Sequence, residues 1–226
     1  METLEKITFE QVGADFSLDK LLAARVRSQA AVETLSSLIK PGMTEEEANI
    51  LAKQALFDLG MEREWHPTRV RFGENTLKTF REPSNPNTVL QENDIYFIDI
   101  GPVFDGHEGD SGDTFVIGDD PDMKACAKAV KEVFEKVKQC WLTQDLSGKA
   151  LYEYAEHTAQ AMGWQLNLGT PGHRIGDFPH SIYKANRLAT LDFIPCSALW
   201  VLEIQIRHPT KNFGAFYEDL LLSNEH

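Results

Sequence analysis

The chain has 226 residues, 42% of them hydrophobic, which is enough apolar material for a real core in one large domain or two small ones. Asp and Glu number 35 against 22 Lys and Arg, a formal net charge of -13. A surface this acidic repels phosphate backbones and anionic lipid heads, which argues against nucleic-acid and membrane partners. No stretch approaches the ~20 apolar residues of a membrane span. The charged start, Met1-Glu2-Thr3-Leu4-Glu5-Lys6, does not read as a signal peptide. Cys126, Cys140 and Cys196 are odd in number and far apart, so they read as reduced thiols of a cytoplasmic protein rather than as a disulfide frame or a zinc set.

In chain order, residues 1–17 alternate weakly and suggest an edge strand or a loose arm. Leu18 to Ile39 carries apolar residues at helical spacing. Pro41-Gly42 ends that helix, and Thr44 with Glu47 is a capping box opening a second, which stops at Gly60. Residues 65–73 read as extended, and residues 74–93 as loop, with Pro83 and Pro86. Asn93 to Val103 is a buried-strand pattern that pairs through Asp105-Gly106 with a strand near Gly112–Ile117. Asp122 to Trp141 reads as a core-packing helix, and Gly148 to Met162 as another that stops at Gly163. Trp141, Trp164 and Trp200 fall in core patterns. Two strands, Ala198–Ile206 and Phe213–Leu222, end the chain. The halves 18–118 and 122–222 repeat a helix–helix–hairpin order with a period of about 103 residues, which reads as an internal duplication within a single domain.

Two acids stand where acids are costly. Asp99 lies in Ile95-Tyr96-Phe97-Ile98-Asp99-Ile100, and Glu203 lies in Leu199-Trp200-Val201-Leu202-Glu203-Ile204. Strands this apolar are usually buried on both faces, and an isolated buried carboxylate costs several kcal/mol. Asp110 stands eleven residues after Asp99, across the hairpin turn, and Glu218 takes the matching place after Glu203. His173 sits between the hairpins in Gly172-His173-Arg174-Ile175-Gly176. Four carboxylates and one imidazole make a near charge-balanced cage for two divalent ions, suited to Mn²⁺, Co²⁺, Fe²⁺ or Zn²⁺. A buried network with Arg or Lys is the other reading of the same acids.

These residues, with Lys40-Pro41-Gly42-Met43-Thr44-Glu45, Arg71-Phe72-Gly73-Glu74-Asn75-Thr76, Asp99-Ile100-Gly101, Gly109-Asp110-Ser111, Gly172-His173 and Tyr217-Glu218-Asp219, resemble the creatinase/methionine aminopeptidase superfamily over about residues 20–222. Thr114-Phe115-Val116-Ile117-Gly118 looks more like the prolidase and aminopeptidase P branch than the methionine branch, and the sequence is expected to be the bare catalytic domain without the N-terminal domain usual in that branch. The resemblance implies an α/β (α+β) duplicated pita-bread fold, a curved antiparallel sheet covered by helices. It implies a dinuclear metallopeptidase, an aminopeptidase or Xaa-Pro dipeptidase. Its metal ligands would be Asp99, Asp110, His173, Glu203 and Glu218, holding Mn²⁺ or Co²⁺ ahead of Zn²⁺ or Fe²⁺. Glu203 would shuttle the proton, and His180 would hydrogen-bond the substrate and the tetrahedral intermediate. The partner would be a small peptide or peptide-like substrate, and dimers are common in that branch.

Four departures fall near the implied substrate pocket. The histidine usual after the Gly-x-Asn segment is absent from Asn75-Thr76-Leu77-Lys78-Thr79-Phe80-Arg81, leaving Phe80 as a candidate substrate contact. His66 and His107 are candidates to replace it, though each reads more simply as an ordinary surface or core residue. Arg174 replaces a glycine after the ligand histidine; it would narrow the pocket, bind a substrate carboxylate, or point to solvent. His180-Ser181-Ile182-Tyr183 lacks the usual acid after its histidine, and Asp113 stands where the family has Arg. Two further readings therefore stay open: hydrolysis of a small non-peptide C–N substrate, and a non-catalytic binding domain of the same fold.

Overall fold

The structure is a computed structural model and describes residues 4–180 and 187–223. Among the described residues an eight-stranded antiparallel sheet carries five α-helices. The helices are α1 (Leu4–Phe9), α2 (Leu18–Leu38), α3 (Glu45–Asp58), α4 (Pro121–Gln144) and α5 (Gly148–Ala161). The strands are β1 (Arg63–Phe72), β2 (Asp94–Phe104), β3 (His107–Glu108), β4 (Ser111–Ile117), β5 (Gln165–Leu166), β6 (His173–Arg174), β7 (Trp200–Arg207) and β8 (Gly214–Leu220). The sheet runs β1-β2-β4-β8-β7-β5, with β3 on β2 and β6 on β7. Helix pairs and hairpins therefore recur in the same order on either side of the β4–β8 seam.

Local chemistry explains the helix starts. Ser17, Thr44, Asp120 and Ser147 each accept a backbone N–H of the following first turn, and Thr44 with Glu47 forms the reciprocal capping box. Pro121 follows its cap where a missing N–H costs nothing. α1 corrects the edge strand suggested for the N-terminal residues. Tertiary contacts decide its conformation: Phe9 stacks on Phe193, and Glu10 Oε1 accepts the Cys196 N–H at 2.7 Å and the Trp200 indole N–H at 2.9 Å.

Strand alternation separates core from site. Tyr96, Ile98 and Ile100 of β2 pack against α2 and α3 with Leu35, Ala48, Ala52 and Leu56. Leu202, Ile204 and Ile206 of β7 pack against α4 and α5 with Val130, Val133, Phe134 and Leu151. Each such fully buried aliphatic chain contributes about 1.5–3 kcal/mol. Trp141 and Trp200 are buried, while Trp164 is half-buried at the edge of that cluster. The intervening residues, Phe97, Asp99, Glu203 and Gln205, belong to the other face, which floors a cleft. The three cysteines are unbridged. No described helix is long and apolar enough to cross a membrane.

Candidate metal centre

The antiparallel ladders bring the acids together. Asp99 of β2 pairs with Gly112 of β4, Gly112 pairs with Glu218 of β8, and Glu218 pairs with Glu203 of β7. Asp110 precedes β4 at the end of the hairpin, and His173 is delivered by β6, opposite Val201. One ligand atom each from Asp110, His173 and Glu218 lies within 4.8 Å of the others. His173 Nε2 approaches Asp110 Oδ2 to 2.9 Å. Among the described residues, that ion pair is the contact of the buried Asp110 Oδ2, and the buried Glu218 Oε1 has no hydrogen-bond partner. Uncompensated buried carboxylate oxygens are costly. Convergent carboxylates and an imidazole satisfy themselves by binding a divalent cation, and this donor set fits one. Glu203 Oε2 accepts the Gly172 N–H at 2.7 Å, which fixes its carboxylate at the cleft edge.

Electrostatics agree with that reading. Burial, with Asp110 and Glu203 nearby, pushes Asp99 up to about 7 although His66 opposes it. Burial, then Asp110 and Asp99, raises Glu218 well above the carboxylate range, and burial with Asp110 raises Glu203. Burial also opposes ionisation of Asp110, but His173 and His66 outweigh it and hold the acid at about 2. Burial disfavours the charged form of both imidazoles, yet neighbouring carboxylates lift His66 to about 9 and His173 to about 10. Several like-charged acids in one dry place need positive charge, and two histidines supply only part of it.

The sequence candidates sort by strand direction. Asp99, His173, Glu203, Glu218 and Phe80 line one cleft of about 380 Å³, together with Trp65, His66, Arg81 and Arg187. Arg71 positions the Phe80 loop by donating to the carbonyls of Thr79 and Glu82 and to Ser84 Oγ. Arg174 is corrected: it neither lines the cleft nor reaches solvent. Neighbours in a strand point to opposite faces, so its buried guanidinium leaves His173 behind and donates to the carbonyls of Phe9, Gln11 and Leu199. Asp113 likewise faces α4, where Lys131 Nζ sits 2.6 Å from its carboxylate. His107 is a structural histidine, donating from Nδ1 to the Asp105 carbonyl and accepting the Ser17 N–H on Nε2.

His180 is buried and is not among the described residues that line the cleft; its ring centroid lies 5.3 Å from that of Trp65, edge-on. Its Nδ1–H donates to Glu108, whose carboxylate also accepts the N–H groups of Gly176 and His180. Glu108 thus supplies, from β3, an acid partner for that histidine; Ser181 to Tyr183 lie outside the described residues. His66 overturns its reading as an ordinary residue, since Nε2 stands 3.2 Å from Asp110 Oδ1 and 3.6 Å from Asp99 Oδ1. Trp65 and Glu108 were not marked by the sequence. Trp65 donates its indole N–H to the Gly109 carbonyl and touches His66, His173 and His180 edge-on.

Residues 19–225 match metallopeptidase family M24. The chain belongs to that family. A stretch of 97 residues is 32% identical to the methionine aminopeptidase of Aquifex aeolicus, covering 41% of this chain and 36% of that enzyme. The fold is the family's pita-bread fold. It superposes on the X-Pro aminopeptidase of Thermotoga maritima with a TM-score of 0.77 at 20% identity, over 97% of this chain and 64% of that one. The Xaa-Pro dipeptidase of Bacillus anthracis gives 0.74 at 19% identity, over 100% and 62%. The methionine aminopeptidase of Thermotoga maritima gives 0.70 at 16%, over 99% and 98%. This M24 chain therefore spans less than two thirds of the length of the X-Pro enzymes it resembles.

Proposed function

We propose that the protein is a metal-dependent aminopeptidase or dipeptidase that hydrolyses the N-terminal peptide bond of a short peptide. The observation that carries this is the convergence of ligand atoms from Asp110, His173 and Glu218 within 4.8 Å of one another, with Glu218 Oε1 buried and without a hydrogen bond. We assign Asp99, Asp110, His173, Glu203 and Glu218 as ligands of two divalent ions, Mn²⁺ or Co²⁺ first. Bound there, the ions would supply Lewis-acid activation of water and of the scissile carbonyl.

The chain's own groups do the rest. Glu203, anchored by Gly172 and raised by burial, is placed to take a proton from the attacking water and return it to the leaving amine. Trp65 and Phe80 wall the cleft and exclude water from the reacting bond. A cleft of about 380 Å³ suits a dipeptide-sized ligand. We assign His180 to holding Trp65 in place rather than to touching substrate, because its ring meets the indole edge-on, it is not among the described cleft-lining residues, and its Nδ1–H is committed to Glu108.

The test is metal analysis of the purified protein, then a dipeptide panel, Xaa-Pro peptides included, with and without Mn²⁺ or Co²⁺. Bound metal with metal-dependent cleavage is expected, and Asp110→Ala or Glu203→Ala should remove both. Metal without peptide turnover would favour a non-peptide C–N substrate, and a protein that retains no divalent ion would overturn the metallopeptidase reading.

A further inference from the structure

We propose that His66 is a sixth ligand of this metal centre, so that Asp110 is flanked by an imidazole on each side. This rests on the metallopeptidase reading and goes beyond its five ligands.

Local backbone first aims the ring. The β1–β2 register shifts on both sides of His66, between Glu64 and His66 and again between His66 and Arg69. Pro67 lacks an N–H for the ladder, so the strand bulges there, and a bulge re-aims the neighbouring side chain. The ring then lies across Gly101. A Cβ at that position would stand 2.2 Å from His66 Cδ2, so this placement requires glycine opposite it. Trp65 and Phe80 meet the ring edge-on, with centroids 4.3 and 5.4 Å away, and hold it there.

The nitrogens are oriented as a ligand's are. Nδ1 lies 3.1 Å from the Pro67 carbonyl, which can only accept, so Nδ1 carries the proton. That leaves the Nε2 lone pair of the neutral ring facing Asp110 and Asp99. His173 repeats the arrangement: Nδ1 lies 2.9 Å from the Arg174 carbonyl, and Nε2 faces Asp110 from the other side. A carbonyl fixing one ring nitrogen while the other faces the metal is the usual outer-sphere arrangement of a ligating histidine. His66, Asp99 and Asp110 offer three ligand atoms mutually within 4.8 Å, as do Asp110, His173 and Glu218. Asp110 belongs to both groups. A second nitrogen would move the preference of the site toward Co²⁺ or Zn²⁺ and away from Mn²⁺.

The experiment compares the wild-type protein with His66→Gln by equilibrium dialysis against Zn²⁺ and Mn²⁺, with circular dichroism to verify folding. Loss of an outer-shell partner alone typically costs about 10–100-fold in affinity, so losing a ligand should weaken one of two zinc sites at least about tenfold, with Mn²⁺ affected less. Zinc-edge X-ray absorption of the wild-type protein needs no variant, and should show imidazole scattering from two histidines. Unchanged zinc affinity in His66→Gln, or scattering from one histidine alone, would overturn the assignment and leave the five-ligand reading standing. A wild-type protein that binds no divalent metal would instead remove both.

Discussion

Among the described residues, Gly112 of β4 and Glu218 of β8 form the registered pair at which the two halves of the sheet join. A Cβ at Gly112 would lie 2.4 Å from Phe216 Cε1 and 2.8 Å from Glu218 Oε1. Gly112→Ala should therefore displace a proposed ligand and overpack the seam, at a cost of about 1–3 kcal/mol. The expected result is weaker divalent-metal binding together with a lower Tm, checked by dialysis and calorimetry. Wild-type affinity in this variant would mean that Glu218 is not held by the bond we assign to it.

Stability of the metal-free protein should fall as pH rises from about 6 to 9. Asp99, Glu203 and Glu218 have raised folded pKa values, so their protonated forms favour the fold. That contribution fades as pH climbs from the unfolded value, roughly 4, through the folded one, about 7 for Asp99. His66 and His173, raised to about 9 and about 10, stabilise fully below the unfolded value and lose that contribution as pH passes the folded one. Asp110, held at about 2, acts in the opposite sense, but its window lies below this range. A divalent metal held at the proposed centre would neutralise the acids, so the Tm increase on adding Mn²⁺ should grow with pH. Calorimetry at several pH values reads this directly, and an increase that shrinks toward pH 9 would contradict the assignment.

Tyr152 grips the backbone of Glu203 from α5. Its hydroxyl donates to the Glu203 carbonyl at 2.9 Å and accepts the Glu203 N–H at 3.3 Å. Tyr152→Phe leaves both groups unsatisfied in a buried place, at a cost of about 1–3 kcal/mol by urea unfolding. On the proposed function, peptidase turnover should drop more than substrate affinity, because the residue held is the proposed proton carrier. A fall in affinity alone would argue against that role for Glu203.

Arg174→Met should loosen the N-terminal segment. The guanidinium binds the carbonyls of Phe9 and Gln11 on one side and Leu199 on the other. Charged hydrogen bonds of this kind contribute about 1.5–3 kcal/mol each before compensation, so a loss of a few kcal/mol is expected. Limited proteolysis should cut first near residues 9–16. A stable variant with a raised KM would restore Arg174 to the substrate pocket.

The sequence disclosed Asp99 and Glu203 because each interrupts an apolar strand, a chemical contradiction visible without coordinates. Helix caps were legible for a similar reason, since Thr44 and Glu47 satisfy each other locally. His66 was not, because its place depends on a bulge around Pro67 and on the absence of a side chain at Gly101 on another strand. Glu108 could not be matched to His180 because 72 residues separate partners that only the fold brings together. Arg174 was misread for want of one rule: neighbours in a strand point to opposite faces, so the residue beside His173 points away from the cleft.

The β4–β8 seam divides the five ligands first proposed. Asp99 and Asp110 come from one side of it; His173, Glu203 and Glu218 come from the other. His66, Asp99 and Asp110 all lie on one side, but the Asp110, His173 and Glu218 group forms only when both sides have docked, so an ion held there would act as a rivet between them. Metal occupancy then becomes a reporter of complete assembly, and chelators should loosen the joint between the halves before they melt either one.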